Sequence, residues 1–339
     1  MATIKDVARM AGVSISTVSY VINGTRPISE DTKQLIYDTM EKLGYKPHAM
    51  ARALASRRSR IIGLVFDPPE RGLGITEMDL VSHAASAAKE FGYHLVIVTS
   101  DVNEPEKLNE LTGQGLLDGV ILLEILEHDK RVKYLSEKKI PFSMVGRCAD
   151  IPDALYVDID FDESARLAVE HLQSLGHKNI LFINQSQEIF ASGYGPAVQG
   201  QEFFLKWCEH YNVKGEAVFC HTNRDAGFSV FNEKLTACPD VTAAVVMNDR
   251  ALPGIIQAAK ILNLDIPKDL SLLAFVSSPR LADMFVPALT TLDIPARELG
   301  RTSVVSLLEK LENTKPENAQ SLIPCVLDVR ESTGKAREK

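Results

Sequence analysis

The chain has 339 residues, 45% of them hydrophobic, and a formal net charge of -8. That length exceeds one ordinary compact domain and the apolar content is ample for a large buried core, so two or three domains are expected. The first stretch carries Lys5, Asp6 and Arg9 with no apolar run of the signal-peptide kind, and no segment has the roughly 18 uncharged apolar residues of a membrane span, which predicts a soluble, cytoplasmic protein without a membrane partner.

Five scattered cysteines, none in a CxxC pair, suggest neither a disulfide framework nor a zinc cluster. No metal and no cofactor is expected. Charge is divided unevenly. Residues 1–60 hold ten Lys or Arg against five acids, a balance of +5, which leaves -13 for the other 279 residues. A basic N-terminal module on an acidic body fits a polyanion-binding head attached to a part that repels nucleic acid.

In chain order, Thr3 with Asp6 forms a capping-box pattern, and Ile4, Val7, Ala8 and Ala11 fall on one helical face. Gly12 suits a tight turn, and Ser14 is placed to cap a second helix from about Ile15 to Ile22. There Val18, Val21 and Ile22 point inward, leaving Ile15, Ser16, Thr17, Ser19 and Tyr20 outward. A third helix, from Ser29 or Asp31 to Leu43, puts Leu35, Ile36, Met40 and Leu43 on one stripe and closes a small all-α core.

Helix, short turn, helix is the arrangement that inserts the start of its second helix into the major groove, where all four base pairs can be told apart. Ser14, Thr17, Ser19 and Asn23 are candidates for phosphates; Ile15, Ser16 and Tyr20 face bases, with Ile15 suited to a thymine methyl. Thr3, Ser29 and Thr32 complete this candidate set in the head.

From Arg60 onward apolar β-type runs alternate with helical stretches: IIGLVF, YHLVIVTS, DGVILLEI and PFSMVGR, then ILFIN, AVFCHT, AAVVMN and LSLLAF. This alternation predicts parallel sheets flanked by helices in an α/β body. The first set spans about 60–158 with 287–325, where TTLDI returns, and the second about 159–286 with a C-terminal strand. Ligands of such sheets bind at the carboxyl ends of strands. That selects Asp67, Gly146 with Arg147, Asn248 with Asp249, and Ser277.

An enzyme is not expected, and no catalytic residue is assigned. The histidines form no HExxH, and neither a GxSxG elbow nor a GxxxxGK[ST] loop occurs. His171 and His177 in EHLQSLGHKNI read as capping and packing residues.

The stretch TIKDVARMAGVSISTVSYVINGTRPISEDTKQLI, followed by LGYKPHAMARAL, closely resembles the LacI/GalR-type bacterial transcriptional regulators, with their pattern T-x-x-D-V-A-x-x-A-G-V-S-x-x-T-V-S-x-V-x-N. The resemblance implies a helix-turn-helix domain at 1–46, a hinge at 47–59 and a two-lobed effector and dimerisation domain at 60–339, built like periplasmic sugar-binding proteins. It implies a hinge helix over Pro47 to Ser56 that contacts DNA through His48, Ala51 and a minor-groove wedge, Leu54. His48 stands where the family often has Asn, and Phe228, at the start of the helix after AVFCHT, stands where it often has an aromatic whose ring covers the C–H face of a sugar while carboxylates, amides and Arg bond the hydroxyls.

The implied partners are pseudo-palindromic double-stranded operator DNA, a second copy of the chain in a homodimer, and a mono- or oligosaccharide effector; the implied place is the bacterial cytoplasm, at the nucleoid. Two positions depart from the family pattern: Ala197 replaces an Arg that grips sugar hydroxyls, and Val276 replaces an Asp acceptor. LAFVSSP, VGR and VPALTTLDIPARELG stand closer to the oligosaccharide (maltose or multiple-sugar) repressors. The expected function is a repressor of carbohydrate-use genes, the alternative being a LacI-type regulator controlled by a protein co-regulator or a non-sugar metabolite.

Overall fold

The computed structural model describes residues 2–23, 26–45, 58–66, 73–99, 104–314 and 316–337. His48, Ala51, Leu54 and Asp67 lie outside the described residues, as does the side chain of Asn23. The chain divides into two compact units, residues 1–62 with 108–118 and residues 63–107 with 119–339.

The first unit contains helices α1 (Ile4–Ala11), α2 (Ile15–Asn23) and α3 (Glu30–Lys42). The Asp6 carboxylate accepts hydrogen bonds from the Thr3 amide at 3.0 Å and the Thr3 hydroxyl at 2.7 Å, fixing the start of α1. Gly12, in the left-handed region at φ 67, ends it, and Val13 donates back to the Ala8 carbonyl at 3.0 Å. Val7, Val18 and Ile36 are wholly buried at the centre, each stabilising the fold by about 1.5–3 kcal/mol of apolar burial. The expected stripe on α3 needs one correction. Leu35 is 48% exposed, because the inward row is Ile36, Thr39, Met40 and Leu43; Thr39 takes an inward place by donating its hydroxyl to the Leu35 carbonyl at 2.7 Å. In the same unit the end of the linker is tied down. Asp118 accepts from the Ser59 amide at 2.7 Å and the Arg60 amide at 3.0 Å.

The second unit is an α/β body with two six-stranded sheets. The strands are β1 (Ile61–Phe66), β2 (His94–Thr99), β3 (Gly119–Leu122), β4 (Phe142–Val145), β5 (Tyr156–Ile159), β6 (Asn179–Asn184), β7 (Lys214–Phe219), β8 (Ala243–Val246), β9 (Ser271–Ser277), β10 (Thr290–Asp293), β11 (Gln320–Ile323) and β12 (Val326–Asp328). The first sheet runs in the order β11-β5-β4-β3-β1-β2 and the second β12-β10-β9-β8-β6-β7. In the second sheet only β12 runs antiparallel, against β10. Every residue of β6 is buried, as helices on both faces of a parallel sheet require. TTLDI does not return to the first sheet. It is β10, paired in parallel with β9, and the chain crosses to the first lobe only afterwards.

Helix α5 (Lys107–Gly113) lies largely in the first unit, and the helices of the body are α4 (Ile75–Glu90), α6 (Lys130–Glu137), α7 (Phe161–Ser174), α8 (Gln187–Ala191), α9 (Gly195–His210), α10 (Arg224–Ala237), α11 (Leu252–Ile261), α12 (Pro279–Ala282) and α13 (Ala296–Leu311). Two helix pairs approach at backbone distance. A methyl at Gly300 of α13 would stand 2.8 Å from the Ala84 amide of α4, and one at Gly254 of α11 would run into the Arg224 carbonyl of α10. Only glycine permits either contact.

Candidate DNA-reading face and effector cleft

In the head, the start of α2 is exposed. Ile15 is 46% exposed, and Ser14 and Ser16 lie beside it on the surface. An apolar side chain in that position, at the positive end of a helix, suits a thymine methyl next to the phosphate backbone. Ser14 serves the helix itself: its oxygen accepts from the Thr17 amide at 3.0 Å and lies 2.7 and 2.8 Å from the Ser16 and Thr17 hydroxyls. Tyr20 is half-buried with the Arg26 guanidinium over its ring, 4.8 Å from the ring centre, which places a cation on the aromatic face. Ser19 is likewise half-buried. Ser29 and Thr32 hold each other, oxygen to oxygen at 2.8 Å, at the start of α3, and Thr3 is exposed at the start of α1.

In the body, a cavity of about 140 Å³ lies between the lobes at the carboxyl ends of their strands. Thr76 and Glu77 border it from the start of α4, Glu124 and Ile125 from the end of β3, Asp158 from β5, and Gln185, Met247 and Asp249 from beyond β6 and β8. The lobes are drawn together around it by three polar seams. The Asp249 carboxylate accepts from Thr76 at 2.9 Å and from Ser277 at 3.1 Å, while Asp79 accepts from Ser278 at 2.6 Å and pairs with Arg280 at 2.9 Å. Glu127 donates its amide to the Gly193 carbonyl at 2.7 Å, and Gly195 donates to Ile125 at 3.2 Å. Arg147 hydrogen-bonds Gln199 across the gap and donates Nε to Asp158 at 2.9 Å.

Asp158 is only 5% exposed. Burial pushes its carboxyl up to about 6, with the Arg147 guanidinium and the Ile159 amide pulling the other way. The wall at β3 is held from behind by the buried Arg131–Asp129 pair. Arg131 donates to the Leu123 carbonyl at 3.1 Å and the Glu124 carbonyl at 3.0 Å, while Asp129 accepts its Nη2 at 2.7 Å.

A helix-turn-helix head joined to a two-lobed body agrees with both halves of the comparison with known families. Residues 3–48 match the bacterial regulatory proteins of the lacI family, and residues 169–333 match the periplasmic binding protein-like domain. The HTH-type transcriptional repressor PurR of Mannheimia succiniciproducens is 31% identical over 99% of this chain and 99% of its own. The chain belongs to the LacI family. Catabolite control protein A of Priestia megaterium is 28% identical over 98% of this chain and 99% of its own. Among solved structures, the lac repressor dimer bound to operator and the anti-inducer ONPF superposes with a TM-score of 0.82 at 25% identity, covering 98% of this chain and 99% of that one. The complex of the regulator CelR with cellobiose gives 0.72 at 25% identity, covering 98% and 100%.

In this LacI-family chain the cavity brings together some of the expected effector residues and not others. Asp249 lines it, and buried Ser277 reaches it through Asp249. Arg147 stands one step back, behind Asp158. Asn248 is buried and donates to the Cys220 carbonyl at 2.9 Å, outside the cavity lining. Phe228 packs on the second-lobe core instead of the cavity, because the backbone contact at Gly254 draws its helix down onto α11. Asp158, Gln185, Thr76 and Glu77 were missed. Asp158 had left a signal, a lone acid between Val157 and Ile159 in a buried strand. Ala197 is wholly buried in α9, and Val276 lines the cavity with φ 56. Among the described residues no cluster of His, Cys, Asp and Glu could hold a metal, and no helix is long and apolar enough to cross a membrane.

Proposed function

We propose that this protein is a cytoplasmic, homodimeric repressor of carbohydrate-use genes, whose hold on operator DNA is set by a small molecule bound between the lobes. The observation that carries the reading is the coexistence in one chain of an exposed Ile15–Ser16 helix start on a basic head and an interlobe cavity crossed by hydrogen bonds from both lobes. The relatives support the rest: the lac repressor structure is a dimer on operator, and CelR is seen with cellobiose. One head offers too few base contacts for a specific site, so two copies reading a pseudo-palindrome follow from the geometry of the motif.

Binding in the cleft fixes the relative position of the lobes, and through the covalent connection of body to head it changes the pre-organisation that operator binding needs, so affinity falls. The sequence likeness to oligosaccharide repressors around LAFVSSP is part of the proposal, with one physical condition. A cavity of about 140 Å³ is close to the roughly 150 Å³ that holds a single benzene ring, so with the lobes drawn together the cleft has room for no more than one small ring. A longer saccharide requires the seams to open.

Selection of duplexes from a random pool by the full-length protein tests the DNA half of this reading. An inverted repeat with half-sites about one helical turn apart is expected. Absence of enrichment, or enrichment of a site without two-fold symmetry, would contradict it.

A further inference from the structure

Beside the cavity of about 140 Å³ lies a larger groove of about 430 Å³. Glu127, Arg147 and Tyr156 border it from the first lobe, and Gln199, Glu202 and Phe203 from the second. The two spaces stand back to back. Gly146 and Pro196 line the cavity while their chain neighbours Arg147 and Gly195 line the groove, so the partition is thin at both places.

Part of that partition is backbone, where the Glu127 amide donates to Gly193 at 2.7 Å and the Gly195 amide to Ile125 at 3.2 Å. The rest is side chain. Arg147 donates Nε to Asp158, on the cavity side, at 2.9 Å, and Nη2 to Gln199 Oε1 of the opposite lobe. A guanidinium held by a carboxylate keeps its planar fork when a second acceptor is exchanged, so a ligand oxygen can take the place of Gln199 at Nη2.

The cavity has an anchor of its own. Gln185 lines it, is 6% exposed, and its Oε1 has no hydrogen-bond partner among the described residues. A buried acceptor of this kind is satisfied when a ligand brings a donor. The groove offers Arg147, Gln199 and Glu202 to further hydroxyls and the rings of Tyr156 and Phe203 to C–H faces.

We propose that the groove is a second saccharide subsite and that the effector is a disaccharide or longer, its inner ring donating to Gln185 Oε1 and its next ring lying in the groove, with Arg147 at the link between them. This rests on the reading that the interlobe cavity is the effector site. The seam that gives way is then the Arg147–Gln199 bond: the outer ring displaces Gln199 while Arg147 keeps Asp158.

Calorimetric titration of the full-length protein with glucose, galactose and mannose, with maltose, cellobiose, lactose and melibiose, and with maltotriose is the test. At least one disaccharide is expected to bind about tenfold or more tighter than either of its constituent monosaccharides. Phe203→Ala combined with Glu202→Ala should remove most of that advantage and leave monosaccharide affinity within about twofold, since both side chains line the groove and neither lines the cavity. Gln185→Met should weaken mono- and disaccharides alike, by about tenfold. A disaccharide that keeps its advantage in the double variant, or monosaccharides that bind as tightly as every disaccharide, overturns the groove subsite and leaves the cavity reading standing. Binding that ignores Gln185→Met overturns the cavity reading, and no binding by any of these sugars overturns both.

Discussion

Val276 sits in the cleft wall with φ 56, a left-handed backbone setting that costs a β-branched residue about 1–2 kcal/mol. Asparagine tolerates that region far better. Val276→Asn should therefore raise stability by about 1 kcal/mol in denaturant unfolding, and an unchanged or lower midpoint would show that the wall does not hold this strain. Side-chain identity in the cleft was only partly legible in the sequence. Asp249 could be placed in the lining because strand ends are visible as breaks in apolar runs, whereas Ser277 stands behind it. Phe228 could not, since the sequence does not show that Gly254 lets α11 and α10 touch backbone to backbone and draws that ring into the core. Gln185 was hidden for another reason: a polar residue after a buried strand reads the same whether it caps a helix or faces a cavity.

Elements were far easier to read than their partners. The strands of the body and the three helices of the head lie close to where apolar periodicity puts them, yet TTLDI was expected in the wrong lobe, because a four-residue buried run says nothing about which sheet edge it joins. The C-terminal segment is likewise fastened by a residue whose role was clear only in kind. His177, 2% exposed, accepts from the Thr242 hydroxyl at Nδ1, 2.8 Å away, and donates from Nε2 to the Gly334 carbonyl at 3.1 Å, with the Ser271 hydroxyl 3.0 Å away. Burial holds its imidazole below the ordinary value of 6.5, so the folded state favours the neutral ring. The stability this gives is present above pH 6.5 and is lost as pH falls and the unfolded chain protonates first. His177→Asn should lower stability by about 1–3 kcal/mol at neutral pH and flatten the slope below pH 6.5. His171, lowered by the same burial, retains the rest of that slope. A variant with the native slope would remove His177 from the acid response.

At the scale of the whole molecule the division of labour was legible early. A balance of +5 over residues 1–60 against -13 for the rest separates a part that approaches phosphates from a part that avoids them, and the family motif lies within the basic part. What charge and motif could not show is that the two lobes are stitched by Asp249, Asp79 and the Ile125–Gly195 backbone contact around a small cavity. On the proposed reading those seams couple occupancy of the cleft to the relative position of the lobes, and that position governs operator affinity. Fluorescence anisotropy of a labelled operator duplex, titrated with full-length protein with and without a saturating cleft ligand, measures it directly. The ligand is expected to weaken operator binding by about 5- to 150-fold, and the operator to weaken ligand binding by the same factor. Operator affinity that is unchanged or raised at saturating ligand would contradict it.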